Sequence, residues 1–219
     1  MEIGETFQFA VVAFTAVFFV VDPFAAVPIF LAITGDQGAE RRRATALRAA
    51  LAAWATLTVF GLAGGILFRL LGISLGAFQI AGGLMLLLMA VDMMRATPSR
   101  TRSTQEEQAE ARGEQEVAVV PLAIPMLAGP GAIATVMVLM KRAAWRPVPT
   151  LLVLGAVALT GAITYLILRA AASAERFITR TTLHVLERVM GLLLSAIAVE
   201  FIVGGLRELW PVLRVSPGT

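Results

Sequence analysis

The chain has 219 residues, of which 58% are hydrophobic and 15% charged, with a formal net charge of +3 and a mean hydropathy of +0.83. Soluble domains carry about 45–50% apolar and about 25% charged residues, so a soluble enzyme, a disordered chain and a nucleic-acid binder are excluded. With no cysteine and one histidine, disulfides, thiolate or His-rich metal sites and cysteine nucleophiles are excluded too, and a polytopic membrane protein with no resident cofactor is the reading that fits.

Six apolar runs follow in chain order, at 7–33, 45–68, 73–94, 117–140, 150–168 and 186–207. Each is long enough for a helical span at about 20 residues per crossing, and none shows the alternation of outer-membrane strands. Met1 to Glu5 contain no basic residue, so the first run reads as a retained span rather than a secretory signal. The polar stretch 96–116 sets three arginines against five glutamates and has no apolar face, so it reads as a solvated cytoplasmic tether. The chain therefore divides into a three-span unit at 1–95, a linker at 96–116 and a second three-span unit at 117–219.

Of the 18 basic residues, twelve fall on the side that carries the linker and six on the other. The richer side is expected to be cytoplasmic, which places both termini outside. The three charges Lys141, Arg142 and Arg146 run against this orientation.

The two units resemble each other. Gly83 to Asp92 lines up with Gly191 to Glu200 at an offset of 108, and Asp22-Pro23-Phe24-Ala25-Ala26 lines up with Gly129-Pro130-Gly131-Ala132-Ile133 at 107. Three spans per unit send the second unit in from the opposite side, which makes an inverted repeat. Such repeats recur in secondary transporters, where two like halves of opposite orientation provide outward-open and inward-open states.

Five of the ten prolines lie in spans 1 and 4, at Pro23, Pro28, Pro121, Pro125 and Pro130. Proline inside a helix removes a donor and clashes with the preceding turn, at a cost of about 3 kcal/mol. Two breaks at corresponding places are the sequence pointer to a midplane binding site made by discontinuous helices. Asp22-Pro23 reads as an N-cap followed by proline at the first helical position, and Gly129-Pro130 reads likewise with a weaker cap. Each restart offers N–H groups and a positive dipole end to a carboxylate, while Asp22 or freed carbonyls suit an ammonium.

The expected substrate-binding set is Asp22, Pro23, Phe24, Ala25, Ala128, Gly129, Pro130, Gly131, Ala132 and Thr135. Its small side chains imply a small substrate. A charge at the bilayer centre costs at least about 2.5–3.5 kcal/mol, so Asp22 either caps its helix alone or also serves substrate or proton. Asp92 and Glu200 hold the repeat-equivalent position in spans 3 and 6. Both are expected near the ends of those spans, close to an interface, and they are candidates for proton coupling, or for plain ion pairs with Arg95 and Arg207. Most of the intramembrane hydroxyls Thr15, Thr135, Thr160, Thr164, Tyr165 and Ser195 are expected to bond their own helices, with Thr135 the best placed of them to face a cavity.

The stretch Asp22 to Phe30 (Asp-Pro-x-x-x-x-Pro-x-Phe), the stretch Pro125 to Thr135 (Pro-Met-Leu-Ala-Gly-Pro-Gly-Ala-Ile-Ala-Thr) and the run Ala81-Gly82-Gly83 resemble the MarC family, also called the SnatA-like neutral amino acid transporters. The resemblance covers the whole chain. It implies a bacterial inner-membrane protein of two inverted three-span repeats, discontinuous in spans 1 and 4. It also implies carriage of small neutral amino acids, chiefly glycine and alanine, linked to protons. Alternatives are an exporter of other small metabolites or drugs, and a non-transporting membrane scaffold or regulator. No nucleophile–base pair marks an enzyme, and no Gly-x-x-x-x-Gly-Lys loop marks ATP use.

Overall fold

The computed structural model describes residues 3–95, 127–174 and 180–214, and every regular element among them is a helix. The order is α1 (Ile3–Val21), α2 (Pro23–Thr34), α3 (Ala39–Leu70), α4 (Leu75–Met94), α5 (Pro130–Ala143), α6 (Pro147–Ala174) and α7 (Arg180–Arg214). Helices suit lipid because each satisfies its own backbone N–H and C=O groups without water. Five stretches are long and apolar enough to cross a membrane: Gly4–Thr34, which joins α1 and α2, then Ala39–Leu70, Leu75–Met94, Pro147–Ser173 and Val185–Trp210. The sixth expected span is represented by α5, whose 14 residues reach about 21 Å against a hydrocarbon core of about 30 Å. The start of that span, with Pro121 and Pro125, and the linker 96–116 lie outside the described residues.

Helices run past the apolar stretches that announce them. The second apolar run begins at 45 but α3 begins at Ala39, and the last run is 186–207 while α7 covers Arg180–Arg214. Hydropathy detects the lipid-facing part, whereas Ala, Arg, Glu and Leu carry the helix on into water.

Local chemistry fixes the turns. The end of α3 is a Schellman arrangement: Gly72 has φ 67°, its N–H bonds the Arg69 carbonyl at 3.3 Å, and the Ile73 N–H bonds the Phe68 carbonyl at 2.9 Å. Ser74 then caps α4 by accepting from the Ala77 N–H at 3.1 Å. Phe68 and Phe78 close the corner edge to face, with centroids 4.5 Å apart. Between α2 and α3, Arg42 turns back. Its Nε donates to the carbonyls of Thr34 and Gln37 at 2.9 and 3.1 Å, and its Nη2 to Gly35 at 2.7 Å. That cation sits on the C-terminal carbonyls of α2, where the helix dipole favours it.

Helix α4 packs on α7, α3 crosses α6, α1 and α2 lie on α6, and α5 lies on α3 and α4. The α4–α7 pair is antiparallel and close. A methyl group at Gly83 would lie 2.9 Å from the Ala198 carbonyl oxygen and within 3.0 Å of Ile202 and Phe201. At Gly191 it would lie 3.0 Å from the Ala90 carbonyl oxygen, beside Met93 and Met94. These neighbours correspond one to one at an offset of 108. The α3–α6 crossing repeats the pattern at 107. A small cavity there is lined by Ala50, Ala53, Trp54 and Leu57 of α3 and by their counterparts Val157, Thr160, Gly161 and Thr164 of α6. The buried core runs through the centre, from Val17, Val20, Ala26 and Phe30 to Leu127, Ala132 and Val136.

Candidate functional site

Helix α1 ends at Val21 and α2 begins at Pro23, so one residue separates them. That residue, Asp22, has φ 48° and ψ 69°, in the left-handed region. Asp and Asn visit this region more readily than other non-glycine residues. Its N–H closes α1 on the Phe18 carbonyl at 3.0 Å, and its Oδ1 accepts from the Ala25 N–H at 3.3 Å, opening α2. Pro23 occupies the first turn, where a missing N–H is harmless. Asp22 is 1% exposed. Phe18 and Phe24 bracket the break edge to face. Pro28 lies inside α2 and does not interrupt it, so of the two prolines expected to disturb this span only Pro23 stands at a break.

In the second unit α5 starts at Pro130 after Gly129, which is extended at φ −67° and ψ 172°. The Gly129 carbonyl accepts from the Ile133 N–H at 3.0 Å, and no side chain caps the helix. The first-turn N–H groups of Gly131 and Ala132 are therefore left without a side-chain acceptor. Leu86 of α4 occupies the space that a side chain at Gly131 would need. Leu194, 108 residues further on, is also fully buried, and α7 touches α2.

Most of the expected substrate-binding residues are buried. Asp22, Pro23, Ala25, Ala128, Gly129, Gly131, Ala132 and Thr135 are buried, Phe24 is half-buried and Pro130 is exposed. The Thr135 hydroxyl donates to the Gly131 carbonyl at 2.8 Å, so it serves its own helix. Thr15, Thr164 and Ser195 do the same, as expected, whereas the buried Thr160 hydroxyl has no partner among the described residues. Gln79 is buried with its amide against Gly204 of α7, wedged in the α4–α7 contact.

The coupling candidates outside the breaks sit apart from this group in the chain. Asp92 is half-buried near the end of α4. Glu200 is exposed on α7, close to the middle of the apolar stretch Val185–Trp210 rather than near its end as expected, because that stretch extends to Trp210. It forms no ion pair with Arg207, because seven residues of helix separate them by about 10 Å. Among the described residues no three acidic or histidine side chains come together as a metal site. Sequence reasoning missed Arg42 as the cap of α2. It is one of three consecutive arginines, and nothing in their spacing distinguishes the one that turns back.

The apolar helices therefore contain two starts, Asp22-Pro23 capped by a carboxylate and Gly129-Pro130 without a side-chain cap. Comparison with known proteins places the chain. The UPF0056 membrane protein MJ1677 of Methanocaldococcus jannaschii is 40% identical over 91% of this chain and 97% of its own length. The UPF0056 membrane proteins YvbG of Bacillus subtilis and YhcE of Escherichia coli are 34% and 33% identical, over 94% and 90% of this chain and 98% and 92% of theirs. No solved structure matches the chain. The model of the family described as MarC family integral membrane protein matches residues 7–210, and the chain belongs to that family.

Proposed function

We propose that this protein is a secondary transporter of small neutral amino acids, such as glycine and alanine, working by alternating access around the two helix starts and drawing on the proton gradient. The observation that carries the reading is the start at Asp22, a buried carboxylate in a left-handed backbone position between two apolar helices. A charge there is costly without a use. The second start at Gly129-Pro130 supplies N–H groups and a positive dipole end for a substrate carboxylate. Asp22 supplies acceptor oxygens for the substrate ammonium, and a proton site. Small neighbours (Ala25, Ala128, Gly129 and Gly131) leave little room for a large side chain.

The repeat supports the same reading. The matched neighbours of Gly83 and Gly191, and the four matched pairs at the α3–α6 crossing, are what two halves related by a two-fold rotation in the membrane plane produce. Two such halves have two near-equivalent arrangements, one open to each side. The orientation proposed is that of an inner-membrane protein with the 96–116 linker in the cytoplasm and both termini outside.

The test is counterflow in liposomes of purified protein with labelled glycine, alanine and serine, with and without a pH gradient. Flux that depends on an internal unlabelled amino acid is expected. Its absence for all three would sink the proposal.

A further inference from the structure

The ends of α3 and α5 part beside the α3–α4 turn and leave a cleft of about 380 Å3, a volume that suits a small ligand or part of a lipid. Its walls are apolar, with Ile66, Phe68, Met137 and Met140 among them, and it also holds Arg69, Lys141 and Trp145. The Arg69 Nε donates to the Gly65 carbonyl at 3.1 Å, and its Nη groups have no partner among the described residues. The Lys141 Nζ lies 2.7 Å from the Glu208 carboxylate. These three side chains carry a net charge of +1. Leu70, Leu71, Ile73 and Trp145 stand exposed at this end of the bundle. Apolar side chains mixed with Trp, Arg and Lys mark the level at which helices leave hydrocarbon for headgroups.

We propose that this cleft binds an anionic membrane phospholipid, with an acyl chain along the methionine and isoleucine wall and the phosphodiester at Arg69 and Lys141. A phosphodiester carries one negative charge, which matches the net +1. A guanidinium with free N–H groups is the side chain best suited to two phosphate oxygens, and basic pockets between transmembrane helices recognise such headgroups. The cleft lies between α3 of the first unit and α5 of the second. The counterparts at 107 of its lining residues Gly61, Met137 and Met140 are the buried Leu168, Phe30 and Ile33. This comparison rests on the repeat; the site itself does not rest on the transport reading.

The experiment is native mass spectrometry of the purified protein, exchanged into equal amounts of phosphatidylglycerol, phosphatidylethanolamine and phosphatidylcholine. Variants are Arg69→Gln, which removes the charge, and Gly65→Leu, which fills the cleft. A methyl group at Gly65 meets nothing within 4 Å, and the residue lines the cleft, so there is open space beside it for a side chain. Arg95→Gln, at the far end of α4, is the control. Wild type is expected to retain one phosphatidylglycerol in preference to the other two lipids. Both cleft variants are expected to lose about tenfold in that retention, with the control unchanged. Equal retention of the three lipids by wild type, or unchanged retention in both cleft variants, overturns the proposal. So does release of the lipid by free glycine or alanine, which would make the cleft an antechamber for solute. The readout is lipid mass, so it stands or falls separately from amino acid flux.

Discussion

A carboxylate at φ 48° answers two demands at Asp22, and substitutions separate them. The backbone demand is for a residue that accepts the left-handed region, and the capping demand is for an oxygen facing the Ala25 N–H. Asparagine meets both and removes only the charge. Asp22→Asn is therefore expected to melt within a few degrees of wild type in detergent while losing most of its amino acid counterflow or the pH dependence of that flux. Unchanged flux at every pH would leave Asp22 as a cap alone. Asp22→Ala loses the cap at about 1 kcal/mol and strains the backbone by about 1–2 kcal/mol more, which thermal unfolding reads as a clear drop. Asp22 was legible in the sequence because a charge followed by proline inside an apolar run has few structural meanings. Arg42 was not, because its role depends on the path of the loop between α2 and α3. Pro28 illustrates the limit from the other side: a proline announces a missing donor, but the surrounding packing decides whether the helix breaks.

At the scale of elements, the contacts rest on small residues rather than on large side chains. Lipid tails are as apolar as leucine, so helices in a membrane gain by close backbone approach. Gly83 and Gly191 each face a carbonyl oxygen of the opposite helix, and a backbone oxygen cannot step aside for a larger residue. Gly83→Val and Gly191→Val are each expected to destabilise the protein by about 1–3 kcal/mol, as overpacked cores do. Gly155, where a methyl group meets nothing within 4 Å, provides the contrast: Gly155→Ala is expected to leave thermal stability unchanged. Similar losses at Gly83 and Gly191 are what equivalent contacts require, and a loss at one site alone would argue that they differ. The sequence marked Gly83 and Gly191 as matching positions of the two units. Their partners were not readable, because which helices face one another is set by the whole bundle, and both glycines sit in leucine- and alanine-rich stretches with weak periodicity.

At the scale of the molecule, the distribution of charge bears on how the chain sits in the bilayer. If the six apolar runs all cross, twelve basic residues fall on one side and six on the other, and Lys141, Arg142 and Arg146 form the main exception. Lys141 is neutralised in part by Glu208, and Arg142 and Lys141 both lie in the last turn of α5, where the helix dipole favours cations. Those charges therefore have local partners and weigh less against the orientation than their number suggests. The chain has no cysteine, so single introduced thiols report sidedness without a background. Ser103→Cys in the linker is expected to react with a membrane-impermeant maleimide only after the cells are opened, and Ser216→Cys near the C-terminus is expected to react in intact cells. Reaction of both thiols on the same side would mean an even number of crossings after the linker. That result would remove the opposed orientation of the two halves and, with it, the basis for alternating access.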